Sequence, residues 1–121
     1  MWSAALPANT FPEAPVFFEL RRYTTQPGKQ AEFAKFMDDV VVPFQRAKGM
    51  DILGNFTGEN DDTAYVWIRR FKSEDERKQL YAAVYESDEW KNEIGPKLPA
   101  LMDVKSINVT RLEATAKSAI Q

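Results

Sequence analysis

The sequence contains neither cysteine nor histidine. Without cysteine there is no disulfide, thiolate nucleophile, iron–sulfur cluster or cysteine-held zinc. Without histidine there is no Ser–His catalytic pair, no imidazole metal ligand and no histidine-ligated haem. Any proton transfer falls to carboxylates, tyrosine, lysine or the substrate itself. Long apolar runs are missing as well: no stretch approaches the roughly twenty residues that span a bilayer. The opening residues lack the basic start and apolar run of a signal peptide. A basic patch is also missing, because the net charge is −2 and charges of both signs are interleaved. These absences predict a cytoplasmic protein with no metal, no cofactor, no nucleic-acid partner and no membrane contact.

What remains suits one domain of 121 residues. Residues 1–15 hold Pro7, Pro12 and Pro15 around Trp2 and Phe11, an extended arm that is either loose or laid across a partner subunit. Residues 16–113 carry the folded pattern, and the polar tail 114–121 is expected to fray.

Val16 to Tyr23 alternates strictly, which reads as a β-strand with two faces. Val16, Phe18 and Leu20 share one side; Phe17, Glu19, Arg21 and Tyr23 share the other. Tyr65 to Phe71 repeats the arrangement, with Tyr65, Trp67, Arg69 and Phe71 together. Between them, Phe33, Phe36, Met37, Val40, Val41 and Phe44 form one apolar stripe at helical spacing. Pro43 should loosen the last turns of that helix, which ends at Gly49. Asp51 to Thr57 reads as a strand and Gly58 to Asp62 as a turn, so a hairpin leads into the Tyr65 strand. The oxygen-rich turn lacks the pattern of a calcium loop.

Ser73-Glu74-Asp75-Glu76 is a capping box that starts a helix reaching about Glu86. A shorter helix follows from Ser87, interrupted by Gly95-Pro96 and Pro99. Ser106 to Leu112 alternates again as a final strand. The order is β-α-β-β-α-β, the ferredoxin-like arrangement: an α+β fold with a four-stranded antiparallel sheet and helices on one face. The face bearing Phe17, Tyr23, Tyr65 and Trp67 is then expected to need a cover, and pairing two such sheets in a homodimer supplies one.

Phe18-Glu19-Leu20-Arg21-Arg22-Tyr23-Thr24 with Pro27-Gly28 resembles the opening of NIPSNAP domains. The resemblance continues through Gly49 to Phe56, Tyr65 to Phe71, Glu76-Arg77, Val84-Tyr85, Trp90 and the closing strand. It covers roughly 16 to 113 and implies a dimeric α+β barrel. Relatives in that wider group include cofactor-free monooxygenases, isomerases, haem enzymes and proteins without known activity. No catalytic motif carries over, and the absent histidine argues against the haem branch.

If the first and third strands are neighbours, their charged and aromatic side chains face one cavity. Arg21 or Arg69 would hold a carboxylate, enolate or phenolate through forked donors. Tyr23, Tyr65 and Trp67 would wall an aromatic or acidic molecule, and Asn55 would add a neutral hydrogen bond. Glu19 is the candidate general base, its pKa raised if the cavity is dry. The competing reading makes Glu19 and Arg69 a cross-strand ion pair with no chemistry. Tyr81, Tyr85 and Trp90 read as helix-to-sheet core, with Tyr85 or Trp90 as alternative walls at the cavity mouth. Function stays between a homodimeric small-molecule-binding barrel, cofactor-independent if it is an enzyme, and a non-catalytic dimerisation scaffold.

Overall fold

Strand β1 (Phe17–Thr25) lies inside a four-stranded sheet of order β2-β3-β1-β4, with β2 spanning Asp51–Thr57, β3 Ala64–Phe71 and β4 Met102–Leu112. The computed structural model describes residues 16–121, and the arm 1–15 lies outside the described residues. All three pairings are antiparallel. In the central pair Glu19 stands opposite Arg69, Arg21 opposite Trp67 and Tyr23 opposite Tyr65. The final strand begins earlier than its alternation indicates, because a register shift between Arg22 and Thr24 lets Met102 and Asp103 pair as well.

The first helical segment runs as α1 (Gln30–Phe36), a π-helical turn (Met37–Val41) and α2 (Val42–Ala47). The Val42 amide reaches back five residues to the Met37 carbonyl. A proline crowds the carbonyl four residues before it and offers no N–H. The wider turn ahead of Pro43 absorbs that misfit, so the helix continues where loosening was expected. Gly49 closes the segment at a φ of +107°, a conformation that side chains disfavour.

Helix α3 (Glu74–Tyr85) starts at Ser73, whose Oγ accepts from the Glu76 amide at 3.0 Å. Glu76 reaches back one residue further than the usual box, accepting from the Lys72 amide at 2.9 Å. After Ser87 the chain forms a π-helical turn (Trp90–Ile94) and a 3₁₀ helix (Gly95–Ala100) that leads into β4.

The helices cover the face that carries Phe17, Tyr23, Tyr65 and Trp67. Phe33, Met37, Val41 and Val84 pack there with Trp67 and Phe71, all of them buried. The Phe33 ring meets Tyr65 edge-on at 4.9 Å. This corrects the expectation that a second subunit covers that face. The charges among the aromatic rings find partners on the helices themselves. The opposite face carries Phe18, Leu20, Leu53, Phe56, Val66, Ile68 and Leu112. Ala114, Thr115, Ser118 and Ile120 of the tail border the same groove as Phe18, Leu53 and Ile68. Arg70 Nη1 donates to the Gln121 carbonyl at 2.7 Å and holds the tail there.

Candidate functional site

Beneath the helices, Glu19 and Arg69 pair at 2.7 Å with essentially no exposure of either side chain. Tyr81 donates to both Glu19 oxygens, at 2.8 and 2.7 Å, and Arg77 Nε donates to Oε2 at 3.0 Å. Arg69 Nη1 donates to Gln45 Oε1 at 2.9 Å and to the Tyr85 hydroxyl at 2.8 Å; its Nη2 also reaches Tyr81 at 2.9 Å. The Arg69 guanidinium lies 4.8 Å from the Trp67 ring and 5.1 Å from Tyr81, so aromatic faces replace much of the lost water. Every further side chain hydrogen-bonded to the ion pair comes from a helix, α2 or α3. The network therefore locks the helical layer to the sheet.

Burial alone pushes the Glu19 carboxyl up, but the Arg69 charge and the hydrogen bonds from Tyr81, Arg69 and Arg77 outweigh it. Glu19 is held below the ordinary glutamate value, opposite to the shift expected of a general base in a dry cavity. Its lone pairs are engaged by the protein. The geometry matches the ion-pair alternative for Glu19 and Arg69.

A cavity of about 330 Å³ opens beside this network, toward the β4 edge. Arg21, Tyr23 and Trp67, three of the residues assigned to a cavity from the sequence, line it. Arg69 and Glu19 stand behind its wall. Tyr65 and Asn55 do not reach it; they satisfy each other at 2.9 Å on the β2 side of the sheet. Its remaining walls include Tyr85 and Trp90, the alternative walls of the sequence reading, and residues that reading did not assign to a cavity. Met37, Val41 and Gln45 descend from the first helical segment, and Tyr85 from α3. Trp90, Leu98 and Met102 come from the irregular stretch before β4. Trp90 meets Tyr85 edge-on at 4.9 Å. Alternation and helical period were the available signals, and a π turn followed by a 3₁₀ helix shows neither.

Charge accumulates at this cavity. Glu19 answers Arg69 and Arg77 together, and Glu74 is shared between Arg77 and Arg111, so Arg21 has no carboxylate of its own. Among the described residues the only carboxylate within 4 Å of Arg21 is Glu19, at 3.8 Å. Arg21 Nε donates to the Tyr23 hydroxyl at 2.9 Å, and its guanidinium lies 5.8 Å from the Trp67 ring. The Trp67 indole nitrogen is buried without a partner. Such a group costs stability unless something else accepts from it.

Fold and site together define a small α+β domain with an internal, arginine-bearing cavity between sheet and helices. The chain belongs to the NIPSNAP family, whose family model matches residues 18–118. A NIPSNAP family protein of unknown function from Agrobacterium tumefaciens is 22% identical with a TM-score of 0.80, over 91% of this chain and 97% of that one. An uncharacterized NIPSNAP-like domain protein from Burkholderia xenovorans is 18% identical with a TM-score of 0.76, over 85% and 88%. A conserved protein from Methanosarcina mazei is 19% identical with a TM-score of 0.60, over 88% and 99%. At these identities the likeness is one of fold. No curated protein matches the sequence. Among the described residues no helix is long and apolar enough to cross a membrane.

Proposed function

We propose that this NIPSNAP protein is a homodimer that binds a small, flat organic anion in the cavity of each protomer. The observation that carries this reading is Arg21, a surplus cation on the wall of a 330 Å³ cavity otherwise built, apart from Gln45, from aromatic and apolar side chains. That volume lies at the low end of small-molecule sites. Guanidinium donors suit a carboxylate, enolate or phenolate, and the rings suit a planar body. Among the described residues no carboxylate lines the cavity. Binding and stabilisation of an anion are therefore better supported than proton abstraction by a protein base.

The dimer is proposed through the sheet face away from the helices. Leu20, Phe56, Val66 and Ile68 form an apolar strip there that the tail covers only in part. Two such faces stacked together would close a barrel.

Calorimetric titration with a panel of aromatic carboxylates and phenolates tests the ligand reading. At least one member is expected to bind wild type and to lose about tenfold in affinity or more in Arg21→Gln, as for a hydrogen-bonded charge pair. A panel without binders, or equal binding by the variant, overturns it. The scaffold alternative predicts the first of those results.

A further inference from the structure

We propose that the Tyr23 and Tyr85 hydroxyls act as a pair of phenol donors that, with Arg21, seat the oxyanion of a flat organic acid, carboxylate or enolate. This deepens the ligand reading above and rests on it.

A tyrosine hydroxyl offers one hydrogen and two lone pairs, whereas arginine can only donate. The Tyr23 oxygen accepts from Arg21 Nε at 2.9 Å. The Tyr85 oxygen accepts twice, from Arg69 Nη1 at 2.8 Å and from Gln45 Nε2 at 3.3 Å. Their arginine partners fix the sense of these bonds, so each phenol hydrogen must go elsewhere. Among the described residues neither hydrogen has a protein acceptor. Tyr81 differs: it also accepts from Arg69, but its hydrogen is spent on Glu19.

Tyr23, Tyr85 and Arg21 line the same cavity. Gln45 also lines it, but its carbonyl oxygen is already occupied by Arg69 at 2.9 Å. The polar side chains of the wall thus offer donors. An oxyanion satisfies several donors at once. An amide carries no charge to answer Arg21, and a cation is repelled by it. Donation from an arginine also polarises each phenol and strengthens it as a donor. Arg69, buried and away from the ligand, is in this account a positioning residue that turns the Tyr85 hydrogen outward.

Three probes decide the matter by calorimetry: naphthoate, its neutral analogue naphthamide, and dimedone, which is ionised to an enolate at neutral pH. Wild type is expected to bind one or both oxyanions at least about tenfold more tightly than naphthamide, the scale of one hydrogen bond to an ionised group. Tyr23→Phe and Tyr85→Phe should each weaken naphthoate more than naphthamide and so cut that preference about tenfold, because a hydrogen bond to an ionised oxygen is the stronger one. The ratio reads the seat itself, because a merely loosened cavity would weaken acid and amide together. A carboxylate-first or enolate-first order supports the proposal either way and identifies the ligand's acid. Binding of both naphthoate and dimedone no tighter than naphthamide by wild type overturns the seat but leaves the cavity a ligand site, and needs no variant to fold. Phenylalanine variants with an unchanged ratio also overturn it. If no probe binds, the seat and the ligand reading fall together.

Discussion

Glu19 and Arg69 face each other across the central strand pair, 2.7 Å apart, with side-chain exposures of 1% and 0%. An ion pair this deep is held by what surrounds it. Tyr81 and Arg77 complete the carboxylate, and Gln45 and Tyr85 complete one end of the guanidinium. Its role is to make a polar sheet face compatible with a covering of helices, and so to create the wall on which Arg21 stands.

Glu19→Gln should accordingly destabilise the fold, because Arg69 is left as a buried cation. Breaking one side of a buried pair costs about 3 kcal/mol or more. Urea unfolding measures it: the midpoint should fall with an unchanged slope. A midpoint equal to wild type would mean the pair contributes nothing to folding.

The same pair sets the response to acid. The folded carboxyl lies below its ordinary value, so the unfolded chain takes up this proton first. The stabilisation is complete above the unfolded value of about 4.3 and is lost as pH falls through the lower folded value. Unfolding free energy, followed by denaturant titration from neutral to acid pH, should decline below about pH 5 in wild type. In Glu19→Gln the decline should be shallower, since the linked proton is gone.

Gly95 offers a way to disturb the cavity without touching its polar groups. A Cβ there would lie 2.9 Å from the Trp90 carbonyl oxygen and 3.2 Å from its indole nitrogen. Gly95→Ala should shift Trp90, whose ring stacks on Phe44 at 6.4 Å and meets Tyr85 edge-on. The expected cost is about 1–3 kcal/mol, with a changed tryptophan emission and weaker naphthoate binding. Unaltered emission and affinity would show that Trp90 does not shape the cavity.

Strand alternation and the capping box at Ser73 were legible in the sequence because period and spacing alone define them. The strand pairing that sets Glu19 against Arg69 followed from the element order. Which face the helices cover was not legible. Val16, Phe18 and Leu20 are as apolar as Phe17 and Tyr23, and Glu19, Arg21 and Arg69 argue against burial when read one at a time. Only the three-dimensional meeting of Glu19 with Arg69, Arg77 and Tyr81, at least fifty residues further on, removes that objection. The cavity walls from Trp90 to Met102 left no periodic trace.

The dimer proposal is tested at Phe56, which is 55% exposed in the protomer and covers the bare backbone of Gly54 on the outer face. Sedimentation should give wild type a mass twice the 13.9 kDa of the chain. Phe56→Glu should sediment as a folded monomer, because a buried charge in each copy opposes pairing. A wild-type monomer, or an undisturbed dimer in the variant, would contradict the proposed face.

The most direct test of the account is a crystal structure of the protein soaked with naphthoate. The account predicts the carboxylate within hydrogen-bond distance of Arg21, Tyr23 and Tyr85, with the ring system against Trp67 and Trp90 and the Glu19–Arg69 pair undisturbed. Naphthoate bound only outside this cavity, or a cavity closed by its own side chains, would contradict it.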